Sequence, residues 1–306
     1  MSQAHVTPTE GPPAPHAAAQ QPTRFGAYEL VRKLGAGGMG VVYEARRVGL
    51  HKRVAVKMLT AFEGAASARF VQEARIAATL EHPHVVDCID VGSHEGVPYL
   101  AMEFLEGETL RERIARAPLS AEEAVEVMLP VLSAIAAAHD RDIIHRDLKP
   151  ENIFLAQRLG ETVPKVLDFG IAKCRAPDNT PGLTQTAAII GTPGYMAPEQ
   201  AMDSKRVTHA SDQFALGSVL WCAVAGQELY PGEAPLEVLF ALVHDAPRPL
   251  SSVAPSTPKG FCDVVMRMLE RDPAARFANL RDVGCALLPY ASSTARARWE
   301  REFGNG

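Results

Sequence analysis

The sequence is short of several features that would have set its class at once. It has no excess of positive charge: 31 Lys and Arg stand against 36 Asp and Glu, a formal net charge of -5. That balance argues against nucleic acid as the main partner, because polyanion binders are usually basic. Only five cysteines are present, at positions 88, 174, 222, 262 and 285, with no paired or metal-type spacing. An odd, scattered set excludes a disulfide framework and fits a reducing compartment, each thiol serving as a small buried side chain. No basic-then-apolar leader opens the chain, so a cytoplasmic location is expected. The longest apolar stretches, Val127–Ala138 and Phe214–Gly226, are too short to span a bilayer and predict buried core helices instead. Internal repeats are absent as well.

What is there is ordinary in bulk. With 306 residues, 47% hydrophobic and 22% charged, the chain can bury a large core as one domain or two lobes. Residues 1–25 are rich in Pro, Ala, Gln and Thr; such a segment buries too little to offset its ordering entropy and is expected to be a disordered tail.

The stretch that concentrates chemistry is His145-Arg146-Asp147-Leu148-Lys149-Pro150-Glu151-Asn152, flanked by the apolar runs Ile143-Ile144 and Ile153-Phe154-Leu155. Pro150 lacks a backbone donor and pushes Lys149 away from helical geometry, which makes a rigid turn. An acid, a base and an amide held on such a turn suit a phosphate-handling site.

Upstream, Leu34-Gly35-Ala36-Gly37-Gly38-Met39-Gly40-Val41-Val42 has the spacing G-x-G-x-x-G-x-V. Glycines let backbone N–H groups approach phosphate oxygens. Dinucleotide-binding folds use a similar pattern, but there a helix follows the last glycine. Here β-branched and aromatic residues follow, so a strand–loop–strand hairpin is expected. Lys57, inside the apolar strand Arg53–Leu59, needs an anionic partner or a ligand. Glu73, on a helix expected over about 66–80, is the natural partner; a plain structural salt bridge is the alternative. His82-Pro83-His84 reads as a surface turn rather than a metal site. Strands are expected at Val85–Val91 and Val97–Glu103, and Met102–Gly107 passes from apolar strand to polar link.

Beyond that link the pattern is helical, over about 121–140, 211–226, 235–244, 258–269 and 279–290. Pro130 is expected to kink the first of these or to cost it a hydrogen bond. Asp142 stands where a left-handed cap is needed, a conformation Asp tolerates. Asp168, at the end of the short strand Lys165-Val166-Leu167 and beside Gly170, is placed to hold a hard cation. Residues 171–191 form a long loop expected to be functional or mobile. Asp212 is expected to cap free backbone N–H groups at the start of its helix, Arg276 to pair with Glu199, and Ala291–Gly306 to fray.

The order of these motifs (glycine loop, strand lysine, helix glutamate, His-Arg-Asp loop with Asn152, Asp168-Phe169-Gly170, Ala197-Pro198-Glu199) is similar to the protein-kinase signature. Over about residues 27–290 the chain resembles the eukaryotic-like serine/threonine protein kinases of bacteria. The resemblance implies a bilobal α+β fold. Residues 26–103 would form a small antiparallel β-sheet N-lobe with one main helix, 103–107 a hinge, 108–290 a larger helical C-lobe, and 291–306 an extension.

It implies roles too. Residues from Leu34 through Gly35, Ala36, Gly37, Gly38, Met39 and Gly40 would cover the phosphates of ATP. Lys57, held by Glu73, would contact the α- and β-phosphates. Asn152 and Asp168 would hold Mg2+, or Mn2+ in its place. Asp147 would take the acceptor's proton and Lys149 would stabilise the transferring phosphoryl group. Adenine would pair with the backbone of Glu103 and Leu105 beside Met102, between apolar walls from Val42, Ala55 and Leu155. Arg146 would bind a phosphate on the activation loop, at Thr184 and Thr186, with self-association for phosphorylation in trans. Lys149 and Thr192 match the serine/threonine class, and Ala197–Glu199 favours a protein substrate over a small molecule. A nucleotide-binding scaffold without transfer is the competing reading; intact Lys57, Asp147 and Asp168 weigh against it. Phe214, where the family has tryptophan, and Asp142, where it often has glycine, depart from the pattern away from these groups.

Overall fold

Glycine and turn residues at short intervals divide the first third of the chain into strands. The computed structural model describes residues 23–37, 40–59, 71–72, 74–75, 78–169, 193–203 and 206–304. Six strands form one antiparallel sheet: β1 (Thr23–Phe25), β2 (Tyr28–Gly37), β3 (Gly40–Arg47), β4 (Arg53–Met58), β5 (Cys88–His94) and β6 (Val97–Glu103), in the order β1-β2-β3-β4-β6-β5. Alternating apolar residues put Tyr28, Ala45, Val54, Val56 and Ala101 into one small core. Thr23–Phe25, counted with the tail from sequence, is instead an edge strand. Phe25 explains why, since its ring packs edge-on against His94 at 4.9 Å and Tyr99 at 5.6 Å.

β2 and β3 form the expected hairpin around the glycine loop, with Gly37 opposite Gly40. At Gly40, φ is 156° and an added Cβ would lie 2.0 Å from the Met58 carbonyl oxygen, so only glycine lets β3 lie this close to β4. β5 begins three residues later than the sequence suggests. The amide of Val86 donates to Val166 of the other lobe at 3.0 Å, and Val85 bridges the same residue. The larger lobe takes these residues from the sheet.

A short three-stranded sheet, β7 (Gly107–Thr109), β8 (Ile153–Arg158) and β9 (Glu161–Val166), opens the second lobe. Its helices are α1 (Leu110–Arg116), α2 (Ala121–His139), α3 (Pro198–Met202), α4 (His209–Ala225), α5 (Pro235–His244), α6 (Leu250–Val253), α7 (Lys259–Met268), α8 (Leu280–Leu287) and α9 (Ser293–Phe303). α2 starts with a capping box between Ser120 and Glu123 and runs unbroken through the buried Pro130 to His139. α4 carries apolar residues on every face because it is buried from Ser211 to Val224: Phe214, Leu216, Val219, Leu220 and Trp221 are each fully enclosed. Gly226 ends it in the left-handed conformation, φ 67°.

Two long-range interactions close this lobe. Arg276 makes a two-pronged bond with Glu199, Nη1 to Oε1 at 2.8 Å and Nη2 to Oε2 at 2.9 Å, with both side chains buried. Its guanidinium also lies 5.0 Å from the centre of the Phe214 ring. The C-terminal segment, expected to fray, is helix α9, with Trp299 and Phe303 buried. Trp299 rests on the His84 ring at 5.6 Å. Gly284 of α8 makes room for Phe303, whose ring would be 2.4 Å from a Cβ there. His84 is thereby buried, not on a surface turn, and its Nδ1 lies 2.9 Å from the Pro164 carbonyl oxygen.

Replacing Arg276 by alanine leaves the Glu199 carboxylate buried without its partner. Arg276→Ala should cost about 3–5 kcal/mol, read as a lowered urea midpoint, and an unmoved midpoint would show the pair to be dispensable. Trp299→Ala should cost about 3 kcal/mol through the cavity it leaves. Stability equal to the parent would mean that α9 is not held by its aromatic face.

Candidate active site

The loop between α2 and β8 is built outward from a buried acid. Asp212, in the first turns of α4, is 1% exposed. It does not cap its own helix, whose N-cap is Thr208. Its carboxylate accepts from the His139 Nε2–H at 2.8 Å, the backbone N–H of His145 at 2.8 Å and that of Arg146 at 2.9 Å. Burial pushes the carboxyl up, and the bond and charge of His139, with His145 beside it, more than reverse this; Asp212 is held below the usual carboxylate range. The backbone it grips is bent: φ is 66° at Arg146, a left-handed conformation costly for a long side chain. Gln200 of α3 donates to the Arg146 carbonyl at 3.1 Å.

His145 passes this anchorage on. Its Nδ1 accepts the Asp147 N–H at 3.3 Å, so the proton is on Nε2, which donates to the Leu167 carbonyl at 2.9 Å. Burial keeps the ring neutral, its pKa lowered from the ordinary imidazole value. The same ring packs on Phe169 at 4.8 Å. Asn152, at the end of the single 3-10 turn Pro150–Asn152, donates its amide to the Asp147 backbone oxygen at 2.7 Å and to Oδ2 at 3.1 Å. Its own carbonyl accepts from Leu167 at 2.8 Å. Two cross-links therefore fix the Asp147 loop against the residue preceding Asp168.

Around this frame the sequence-predicted charges converge. Lys149 Nζ lies 3.1 Å from Asp147 Oδ2. Lys57 Nζ, from β4, donates to Asp168 Oδ2 at 2.6 Å. Although burial raises the Asp168 carboxyl, the Lys57 charge and hydrogen bond, with His145 and Lys149 nearby, hold it below the usual range. Asp168 has φ 49°, a left-handed conformation, with its carboxylate on Lys57 and the Phe169 ring on His145. Glu73, the partner expected for Lys57, lies outside the described residues, as do Gly38, Met39, Thr184, Thr186 and Thr192. Arg146 is exposed while its backbone is held.

The proposed nucleotide walls come from both lobes. Val42, Ala55 and Met102 share one apolar cluster with Leu100 and Cys88, and Leu155 belongs to the core of the larger lobe. Leu34 is 41% exposed at the rim, and Gly35, Ala36 and Gly37 end β2. Leu105 lies in the connector 104–106. Glu103 has a role the sequence did not suggest. Its N–H donates to the Asp87 carbonyl at 2.9 Å. Its carboxylate accepts from Asp87 N at 3.0 Å, from buried Lys165 at 2.5 Å, and from Arg158. Lys165 also donates to the Val85 carbonyl at 3.0 Å. A cavity of about 490 Å³ lies between β5, β6 and Asp168-Phe169, lined in part by Leu80, Val86, Cys88 and Leu100. Burial pushes the Cys88 thiol up to about 11.

Asp168 offers a carboxylate, and Asn152, its amide N–H spent on Asp147, offers an amide oxygen. Both are hard donors that suit a divalent cation.

The protein kinase domain model matches residues 28–283. Among curated proteins, serine/threonine-protein kinase pkn2 of Myxococcus xanthus is 36% identical over 267 residues, 86% of this chain and 32% of that protein. PknB of Mycobacterium tuberculosis is 36% identical over 269 residues, 85% of this chain and 42% of that protein. PrkC of Bacillus subtilis is 35% identical over 262 residues, 84% and 39% respectively. The chain thus spans about a third to two-fifths of the length of these relatives. The crystal structure of the Mycobacterium tuberculosis PknI kinase domain superposes with a TM-score of 0.70 at 27% identity, covering 90% of this chain and 100% of that one. The antiparallel small lobe and the helical large lobe therefore have their counterpart in known proteins: the chain belongs to the protein kinase family, among the bacterial serine/threonine kinases.

Proposed function

We propose that this domain transfers the γ-phosphoryl group of ATP to serine or threonine hydroxyls of proteins, and that it phosphorylates its own activation segment. The observation that carries the reading is the meeting of Lys57, Asp147, Lys149, Asn152 and Asp168 between the lobes, in two carboxylate–ammonium contacts of 2.6 and 3.1 Å, with the Asn152 amide on Asp147 and its backbone carbonyl on Leu167, the residue before Asp168. Alternating fixed charges of this kind suit a reaction whose transition state is stabilised by position and electrostatics more than by covalent chemistry. On this reading the kinase unit is 26–290, with N-lobe 26–103, hinge 103–107, C-lobe 108–290 and residues 291–306 beyond it.

Asp147 accepts the proton of the acceptor hydroxyl as its oxygen bonds to the γ-phosphorus and the bond to the β-phosphate oxygen breaks, releasing ADP. Lys149, beside Asp147, faces the moving phosphoryl group. Lys57, paired with Asp168, would contact the α- and β-phosphates of bound ATP, and the Asp168 oxygens would then be available to a metal. Magnesium, with manganese as a substitute, would be held by Asp168 and Asn152 and would neutralise charge between the β- and γ-phosphates. Gly35 and Gly37 support the phosphate role: among the described residues a Cβ at either meets no atom within 4 Å, so their packing does not require glycine there, whereas backbone approach to a phosphate would.

The substrate is a protein, the partner of the segment that ends at Ala197–Glu199 and is tied down by Arg276. Thr184 and Thr186 are the proposed autophosphorylation sites, with Arg146 as a phosphate ligand and phosphorylation occurring between transiently paired copies. The net charge of -5 and the scattered cysteines support a cytoplasmic enzyme that does not bind nucleic acid. No helix among the described residues is long and apolar enough to cross a membrane.

Incubated with ATP and magnesium, the purified chain should gain mass in steps of one phosphate that map to Thr184 and Thr186. Asp147→Asn should gain none on the same timescale, its rate lower by about 10²–10³-fold. Equal phosphorylation of parent and Asp147→Asn would remove Asp147 from the chemistry. A parent that modifies neither itself nor a basic acceptor protein would reject the kinase reading. Thr184→Ala/Thr186→Ala should abolish most of the mass gain while leaving nucleotide binding intact; phosphate mapping elsewhere would overturn that assignment.

A further inference from the structure

One pair of side chains behind the Asp147 loop has no part in the chemistry above. His209, the first residue of α4, stacks on His139, the last residue of α2, with ring centroids 4.2 Å apart and planes 12° from parallel. His139 spends its Nε2–H on Asp212, whose carboxylate holds the backbone of His145 and Arg146. His209 is the solvent-facing member of the stack, and the His139 side chain is 9% exposed. We infer that His209 is a positioning residue for phosphoryl transfer: its ring fixes that of His139, and through it the Asp212 grip on the loop that carries Asp147. The inference rests on the kinase reading and adds a pH dependence to it.

The chemistry follows from the ring stacking. Two imidazoles this close cannot both be charged without strong repulsion, and a ring that serves as a flat support when neutral becomes a like-charged neighbour when protonated. The groups facing the pair are Asp212 from α4, Asp140 and Asp142 from the turn after α2, and Arg281 of α8, which is bonded to Asp140 at 2.5 Å. The three carboxylates favour positive charge on the pair, but Arg281 is already bonded to Asp140 and His139 to Asp212. Burial and the repulsion between the stacked rings outweigh the remaining carboxylate attraction and oppose a proton on His209. Burial and the neighbouring His139 lower the His209 pKa from the ordinary imidazole value. A histidine whose folded pKa is lowered supports the folded arrangement above the imidazole range and opposes it as pH falls through that range. The stack therefore holds the loop at neutral pH and loosens it in acid.

The test uses the full 306-residue chain and two variants: His209→Ala, which removes the ring, and His209→Phe, which keeps a stackable ring that cannot titrate. Turnover at saturating ATP and acceptor is followed from about pH 5.5 to 8.5, across the imidazole range. In parallel, the titration of the His139 imidazole is read by NMR in each protein. His209→Ala should lower kcat about fivefold at pH 7.5 while leaving KM for ATP within about twofold, because the loop and not the nucleotide pocket is displaced. His209→Phe should recover most of that loss. Its acid limb should fall about half a unit or more lower, and His139 should titrate higher by a similar amount once the competing cation is gone. Parent-like turnover, pH profile and His139 titration in both variants would overturn the inference with the kinase reading intact. So would a loss of activity in His209→Ala that phenylalanine does not repair. If the parent itself transfers no phosphate, the kinase reading fails separately, and an unmoved His139 titration in His209→Phe would then refute the coupling by itself.

Discussion

The buried carboxylate of Asp212 is the fixed point of this molecule. An ionised acid enclosed in protein costs several kcal/mol unless donors surround it, and Asp212 finds three: one imidazole from α2 and two backbone N–H groups from the His145–Asp147 loop. Burying the charge and shaping the loop are therefore one event. The left-handed Arg146 is tolerable because its amide is needed where that conformation puts it. From there the constraint is handed on by His145 to the Asp147 amide and the Leu167 carbonyl. Asp147 and Asp168 are thus both placed relative to the core of α4, the most deeply buried helix of the lobe, although two strands separate them in the chain.

The front of the site is electrostatically balanced by its own side chains. Lys57 neutralises Asp168 and Lys149 neutralises Asp147, so neither acid repels its neighbour and neither ammonium is buried alone. A polyphosphate would bring a surplus of negative charge into this arrangement, which a divalent cation would offset. Lys57 is the group best able to change partner, because its strand belongs to the small lobe whereas Asp168 follows β9 of the large one. The rear is built in the opposite sense. Lys165, 3% exposed, is held between the Glu103 carboxylate and the Val85 carbonyl. These bonds tie β6, the residues before β5 and β9 together and leave that side little freedom.

How much of this was legible depended on whether a signal was local. The His145–Asn152 turn, the glycine hairpin, the helices at 121–139 and 235–244, the left-handed Asp142 and the Glu199–Arg276 pair all follow from short-range patterning or from motif order. The partners of Asp212 did not: an Asp near a helix start reads as a cap, and only the fold brings residues 139, 145 and 146 to it. His84 looked like a turn residue because nothing near it announces Trp299, which lies at the far end of the chain. The segment 291–304 looked frayed because its arginines mask a stripe of two aromatics, Trp299 and Phe303, one helical turn apart. Glu103 was read for its backbone alone, since a carboxylate in a polar link gives no sign of a lysine buried behind it. The partner of Lys57 was assigned to Glu73, outside the described residues; the acid observed on it is Asp168.

Asp212 with His139, Glu103 with Lys165 and Glu199 with Arg276 share a design that stability alone does not explain. Buried ion pairs are on average no better than apolar residues of the same size, so an all-hydrocarbon core could hold these helices equally well. What it could not do is choose among registers. When an apolar side chain slips by a small distance, new neighbours largely replace the old ones, whereas a buried charge that slips away from its donors forfeits the full solvation it gave up. Each of the three pairs joins segments far apart in the chain. Each also lies at the root of a loop rather than in the middle of a helix pair: the Asp147 loop, the link between the lobes, and the Ala197–Glu199 turn. These are the places where packing specifies position least and where the proposed phosphoryl transfer would need it most, because an acceptor oxygen displaced by an ångström is no longer in line. The cost of burying charge is therefore concentrated where the backbone would otherwise have several acceptable paths.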